Sequence, residues 1–183
     1  GADVFGDSVV GSRSLIKIIE DVAEDDAFEA VVLRVNSPGG SGSASDDIWY
    51  ALESLKTKKP LVVSMGDYAA SGGYYIAMGA DRIFAEPTTI TGSIGVFGGK
   101  MNMAGLLEKG GVSRFEFSRG ARSDLLSTME DFDPEDRALF RSFLSEFYQT
   151  FITKAAEGRS MDVDAIHAVA QGRVWTGTQA LDH

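Results

Sequence analysis

Ser71 is placed as a nucleophile would be, with small neighbours at the point where a strand gives way to a helix. It lies in L-V-V-S-M-G-D-Y-A-A-S-G-G-Y-Y-I-A-M-G-A, Leu61 to Ala80, which reads as a buried strand, a sharp turn and a helix. Val62, Val63 and Met65 supply the strand, Gly66 and Asp67 break it, and the apolar run from Tyr74 to Met78 resumes as a short helix. The first-turn N–H groups of that helix and its peptide dipole favour a developing anion beside Ser71, and Gly72 and Gly73 let another segment come close. The plainer alternative is that Ser71 is an N-cap and nothing more.

A second glycine turn bears on that choice. Glu29 to Ser41, E-A-V-V-L-R-V-N-S-P-G-G-S, is a strand of β-branched residues that ends in Asn36-Ser37-Pro38-Gly39-Gly40 and passes into a helix near Ser43. In open α/β sheets such turns gather at the carboxyl ends of strands, which lets the Gly39–Gly40 amides face Ser71 across a crevice. Two amides converging on one point form an oxyanion hole for a tetrahedral intermediate of acyl transfer. Taken alone, P-G-G is equally a tight turn with no ligand. A phosphate cradle is disfavoured, since neither G-x-G-x-x-G nor G-x-x-x-x-G-K-[ST] occurs.

R-V-N-S-P-G-G-S at Arg34 to Ser41, D-Y-A-A-S-G-G-Y-Y at Asp67 to Tyr75 and T-G-S-I-G-V-F-G at Thr91 to Gly98 closely resemble the signal peptide peptidase A family, also called protease IV. The tail Q-G-R-V-W-T-G-T-Q-A, Gln171 to Ala180, also resembles that family, so the likeness covers nearly the whole chain. It implies an α/β fold shared with the Clp protease subunit and the crotonases, built of repeated βαβ units with a spiral turn. It further implies a membrane-associated serine peptidase that cleaves leftover signal peptides in their apolar core with a Ser/Lys pair. Carried over by position, Ser71 is the nucleophile and the amides of Gly39 or Gly40 and of Gly72 are the oxyanion donors. Ser93 hydrogen-bonds the amine of the lysine, which burial must keep neutral if it is to take the nucleophile's proton. The plainer reading of Ser93 is a turn serine that satisfies local backbone. An extended peptide is expected to add as a strand between the loop after Gly40 and the segment after Gly95, against Ser41, Gly42, Val96 and Phe97. No cofactor and no metal are expected.

The departure from the family pattern concerns the base. Short, single-domain members carry their lysine in a segment resembling G-x-Y-K-S, and here the matching stretch is F-S-R-G-A-R-S-D-L-L-S, Phe117 to Ser127. Arg119 and Arg122 are its only basic residues, and a guanidinium with a pKa above about 12 cannot accept a proton. Lys100 and Lys109 lie between the motifs but not at the matching position, and Lys100 reads as a solvated loop lysine. His167 has no acid spaced to orient it, and His183 ends the chain. Long members of the family carry two homologous halves, with the nucleophile in the C-terminal half and the lysine in the N-terminal half. A chain with Ser71 and no lysine therefore resembles an excised C-terminal half, an expectation with which the absence of an initiator Met at Gly1 and the end at Leu181-Asp182-His183 agree. The expected partners are a peptide substrate, the N-terminal half or neighbouring subunits of a homo-oligomeric ring or dome, and a membrane reached through parts outside this chain. The expected location is the extracytoplasmic face of a bacterial inner membrane, or an organellar membrane. The isolated chain should have little peptidase activity.

Composition excludes several rivals. With 183 residues, of which 44% are hydrophobic, the chain is long enough for one α/β domain with a sizeable core, and residues 1–183 read as a single domain. A formal charge of −10 argues against nucleic acid, which needs a basic face. Zero cysteines exclude disulfides, thiol catalysis and Cys-zinc sites. No apolar run approaches the roughly eighteen residues that span a bilayer. A crotonase-type acyl-CoA enzyme would share the paired amides but has little use for Ser71. A non-catalytic assembly half fits the missing lysine but not the intact A-A-S-G-G and N-S-P-G-G motifs.

The scaffold elements follow from periodicity. Helices are expected over Ser12 to Ala23, with Leu15, Ile16, Ile18, Ile19 and Val22 on one stripe, and over Ser43 to Leu55, with Ile48, Trp49, Leu52 and Leu55. Arg82 to Phe84 and Phe115 to Phe117 read as short strands, and Met103 to Lys109 as a helix closed by Gly110-Gly111. Asp133-Pro134-Glu135 starts a long helix to about Glu157, whose stripe of Phe140, Phe143, Leu144, Phe147, Phe151 and Ile152 is wide enough for core plus a subunit contact, with core alone the simpler assignment.

Overall fold

The computed structural model describes residues 10–113, 115 and 117–183. Its Cα positions cluster into two compact units, residues 1–95 with 149–183 and residues 96–148.

The first unit is built around a sheet. The β-branched run Val31–Ser37 forms β1 and Leu61–Ala70 forms β2, paired in parallel from Val31↔Leu61 to Val35↔Met65. A parallel pair needs a crossover, which α2 (Gly42–Lys56) supplies. Its residues Ile48, Leu52 and Leu55 are buried with Val35, Leu61, Val63 and Met65, as the helical stripe predicts. Helix α1 (Ser12–Glu24) adds Ile19 to the same core.

β2 does not stop at Gly66 and Asp67. It runs on to Ala70 through a shift of register, so that Val35 pairs with Met65 but Ser37 pairs with Ala69. A Cβ on Gly66 would lie 2.7 Å from Asn36 Oδ1, so this glycine serves a close approach within a bulged strand rather than a break. On its other edge β2 pairs in parallel first with β3 (Arg82–Phe84) through Val62 to Ser64, then with β4 (Ile90–Gly92) through Tyr68 to Ala70. β5 (Val174–Thr176) closes the edge antiparallel to β4. The sheet order is β1-β2-β4-β5, with β3 beside β2. β4 and β5 are three-residue strands, too short to register as a periodic pattern.

A short helix, α3 (Gly72–Ala77), leaves the end of β2. In the second unit α4 (Ala104–Lys109) buries no residue. The next helix, α5 (Pro134–Arg159), begins there, with the Asp133 carboxylate accepting from the Asp136 N–H at 2.6 Å as the Asp-Pro start predicts. Its apolar stripe divides: Phe151 and Ile152 are core residues of the first unit, whereas Phe143 is 62% exposed. Phe140 stacks on Phe132. Phe115 and Phe117 lie in no strand and are largely solvent-exposed, and Glu116 between them is outside the described residues. The first unit ends with α6 (Val163–Val169) and α7 (Gly177–Leu181). No helix among the described residues is long and apolar enough to cross a membrane.

Candidate active site

Ser71 sits between β2 and α3 with φ 52° and ψ −120°. A residue with a Cβ adopts such a backbone at a cost of order 1–3 kcal/mol, and such residues cluster at functional sites. The turn is fixed from both sides: the Ser71 N–H donates to Gly92 O at 2.9 Å, and Ser71 O accepts from the Tyr75 N–H at 2.8 Å. The hydroxyl makes no capping hydrogen bond, which sets aside the plain N-cap reading.

The Gly39–Gly40 turn meets this serine, as the two strand–turn–helix units suggested. Gly39 has φ +113°, and a Cβ there would lie 2.8 Å from Ser71 Cβ and 2.9 Å from Gly72 N. The contact admits only glycine. A Cβ on Gly72 would in turn lie 3.2 Å from Gly40 N. The Gly39 N–H is already used, donating to Ser37 Oγ at 3.2 Å. No acceptor for the Gly40 N–H is found among the described residues, and Gly72 opens a helix, so its N–H has no intrahelical partner. Gly40 and Gly72 thus leave two backbone amides close to Ser71 with no acceptor among the described residues.

Ser93 occupies the equivalent step on the next strand. Ala70 of β2 pairs with Gly92 of β4, so Ser71 and Ser93 each come one residue after a member of a cross-strand pair. Ser93 has φ 49°, and its N–H donates to Arg173 O at 2.7 Å. Ser41 is the N-cap of α2, its hydroxyl accepting from the Ala44 N–H at 3.4 Å, and Gly42 is the first residue of that helix. Val96 and Phe97 belong to the second unit, where Phe97 is 96% exposed.

The helices behind the two turns are joined by a network that no sequence signal announces. Tyr75 of α3, 1% exposed, donates its hydroxyl to Asp46 of α2 at 2.5 Å, and Lys154 of α5 donates to the same carboxylate. Lys154 also lies 3.9 Å from the centroid of the Trp49 ring. Burial raises the Asp46 pKa, but the hydrogen bonds from Lys154 and Tyr75 outweigh it and hold the carboxyl below its ordinary value. Burial, reinforced by the Asp46 carboxylate, pushes the Tyr75 hydroxyl up.

Each lysine of the first unit has a hydrogen-bond or ion-pair partner. Lys17 pairs with Asp21 at 3.0 Å, Lys58 with Glu24, and Lys154 with Asp46. Lys56 donates to Gly79 O, and Lys59 to the carbonyls of Val22 and Asp25. In the second unit Lys100 lies over the Phe132 ring at 4.6 Å. Arg122 grips the head of α5 through Asp136 and Glu135, and the Asp136 hydrogen bond raises its pKa further. Arg119 is exposed. His167 contacts Gln171 at 3.1 Å, and His183 packs on Trp175. Among the described residues no group of His, Cys, Asp or Glu could hold a metal ion.

Comparison with known proteins gives the family and the fold. The sequence model of peptidase family S49 matches residues 53–183. The chain is 45% identical over 174 residues to the chloroplastic serine protease SPPA of Arabidopsis thaliana, covering 94% of this chain and 26% of that protein. It is 40% identical over 172 residues to protease 4 of Salmonella typhi, covering 93% of this chain and 28% of that protein. It therefore spans little more than a quarter of the length of these relatives. Among solved structures, a point mutant of ClpP1 from Listeria monocytogenes superposes with a TM-score of 0.57 at 14% identity, over 93% of this chain and 78% of that one. That likeness gives the Clp protease fold.

Proposed function

This chain belongs to peptidase family S49, and from that membership we propose that it is the serine-endopeptidase domain of a longer enzyme, with Ser71 as the nucleophile. A base removes the proton from Ser71 Oγ as the oxygen attacks the scissile carbonyl carbon. The carbonyl oxygen, now an anion, accepts from the Gly40 and Gly72 N–H groups, while Gly39 leaves room for their approach. Collapse of the intermediate expels the amine, which takes the proton back from the base, and water then hydrolyses the acyl-serine by the same steps in reverse order. The observation that carries this reading is the meeting of the Gly39–Gly40 turn with Ser71 and Gly72, within a Cβ's width of one another.

The base is a neutral lysine from outside this chain, held by the Ser93 hydroxyl. The hydrogen bonds and ion pairs that occupy the first unit's lysines, and the arginines at positions 119 and 122, support that origin. It places the complete site at a junction with the N-terminal half of the parent or with a neighbouring subunit of a homo-oligomer. The substrate is an extended apolar peptide, such as a signal peptide after its release, laid along Ser41 and Gly42. Association with the membrane comes through parts outside this chain.

Reconstitution tests the proposal. The chain alone should hydrolyse an apolar model peptide slower than the full-length protein by several orders of magnitude, because a serine without its base is a weak nucleophile. Adding the separately expressed N-terminal half should restore turnover, and replacing that half's lysine should remove it. Aspartate just before the scissile bond should raise KM or lower kcat sharply. Full-rate hydrolysis by the chain alone, silenced by Lys100→Ala, would place the base inside this sequence instead. No hydrolysis by any combination would leave an assembly domain.

A further inference from the structure

We propose that Asn36 is a positioning residue whose side chain holds the bulge in β2 and so brings Ser71, rather than Ala69, against the Gly39–Gly40 turn. Between the pairs Val35↔Met65 and Ser37↔Ala69, β1 advances by two residues while β2 advances by four. Without the two extra residues, the regular ladder would continue as Ser37 opposite Asp67, and Gly39 would face Ala69. The side-chain period of a strand is two, so a slip of two keeps Leu61, Val63 and Met65 on the core face, but a regular ladder would turn Asp67 onto that same face, whereas in the bulge Asp67 is exposed. Burial of the Asp67 carboxylate disfavours the regular register, and local polar groups must hold the bulged one.

The bulge carries backbone groups that β1 cannot satisfy, and two side chains take them. Asn36 Oδ1 accepts from the Tyr68 N–H at 3.1 Å, and the buried Thr89 hydroxyl donates to Gly66 O at 2.8 Å. Asn36 also fills the hollow that the bulge opens. A Cβ on Gly66 would lie 2.7 Å from Asn36 Oδ1 and 2.9 Å from both Asn36 Cγ and Cβ. The Asn36 side chain and the bare Gly66 backbone are complementary surfaces, and bulges of this kind beside active sites re-aim the downstream residues. Thr89 reaches from the far edge and serves the sheet as well, since its hydroxyl also accepts from the Glu86 N–H at 3.1 Å. Asn36, by contrast, lies on the strand that leads into Gly39 and Gly40 and ties the bulge to it. Yet Asn36 is an exposed residue, so its loss opens no hole in the core.

The kinetic part of the test rests on Ser71 as nucleophile; the structural part does not. In this chain, Gly39 Hα and Ser71 Hβ are close enough for a nuclear Overhauser contact, and Asn36→Ala should weaken or abolish it with little change in thermal midpoint. In the full-length protein the same variant should lower kcat on the order of 10²-fold at nearly constant KM, the cost of misplacing reacting groups by about an ångström. Asn36→Asp, which keeps an acceptor for the Tyr68 N–H, should restore both readouts. Retention of the contact in Asn36→Ala overturns the proposal, whatever happens to kcat. If the wild-type full-length protein shows no hydrolysis, the nucleophile assignment fails, and the Overhauser contact still decides the role of Asn36.

Discussion

Ser71 and Ser93 are near-duplicates in backbone terms and differ in the structure downstream of each. Both come directly after a paired residue at the end of a parallel strand, and both turn with φ near 50°. After Ser71 the chain enters α3, whose first N–H, that of Gly72, has no acceptor among the described residues, and the Gly39–Gly40 turn supplies another amide. After Ser93 there is no helix before α4 at Ala104. Its surroundings are instead tied down, with the Ser93 N–H on Arg173 O and Ile94 O accepting from the Gly172 N–H at 2.9 Å. The same strained turn thus sits beside backbone amides of a glycine turn and a helix start in one case, and on a backbone pinned to the neighbouring strand in the other. A serine becomes a candidate nucleophile through the amides around it rather than through its own conformation.

Substitutions should separate the two serines. Ser71→Ala in the full-length protein should abolish peptide hydrolysis, with a loss of about six orders of magnitude in kcat, and leave the circular dichroism spectrum unchanged. Gly72→Ala should come next. Its Cβ would lie 2.5 Å from Ser45 Oγ and 3.2 Å from Gly40 N, crowding the anion site, and kcat should fall about 10²–10³-fold, as when an oxyanion donor is lost. Ser93→Ala should cost only about tenfold in kcat, roughly one hydrogen bond to the base, with KM little changed. An effect of Ser93→Ala as large as that of Ser71→Ala would erase the distinction.

The smallest effects belong to the network behind the turns. Tyr75→Phe removes the hydroxyl that Asp46 accepts from, at a cost of about 1 kcal/mol in stability, measurable by urea unfolding, and a severalfold loss of kcat. The Asp46 carboxyl has a folded pKa below its unfolded value, so its stabilising effect is complete above an unfolded pKa of about 3.9 and is lost as pH falls through the folded value. The urea midpoint should therefore drop through that acid range, and Asp46→Asn should flatten this part of the profile.

The long-range geometry was legible where it depended on residues adjacent in sequence. Ser71 with Gly72, the N-S-P-G-G turn and the strand Arg82 to Phe84 stand as the sequence suggested, because local turn chemistry and β-branched runs dictate them. Gly66-Asp67 was misleading for a physical reason. A glycine inside a strand marks either a break or a close approach, and only the position of Asn36 on the neighbouring strand decides which. The aromatic alternation at Phe115 and Phe117 looks like a strand, but no described strand pairs with it. Asp46, Tyr75 and Lys154 come from three separate helices, and nothing in their spacing shows that they meet.

The most direct test of Ser71 is covalent. Treating the full-length protein with a serine-reactive fluorophosphonate and mapping the adduct by mass spectrometry should place the phosphonyl group on Ser71, with Ser41, Ser45 and Ser93 unmodified and labelling absent from Ser71→Ala. An adduct on any of those other serines, or labelling that persists in Ser71→Ala, would contradict the assignment.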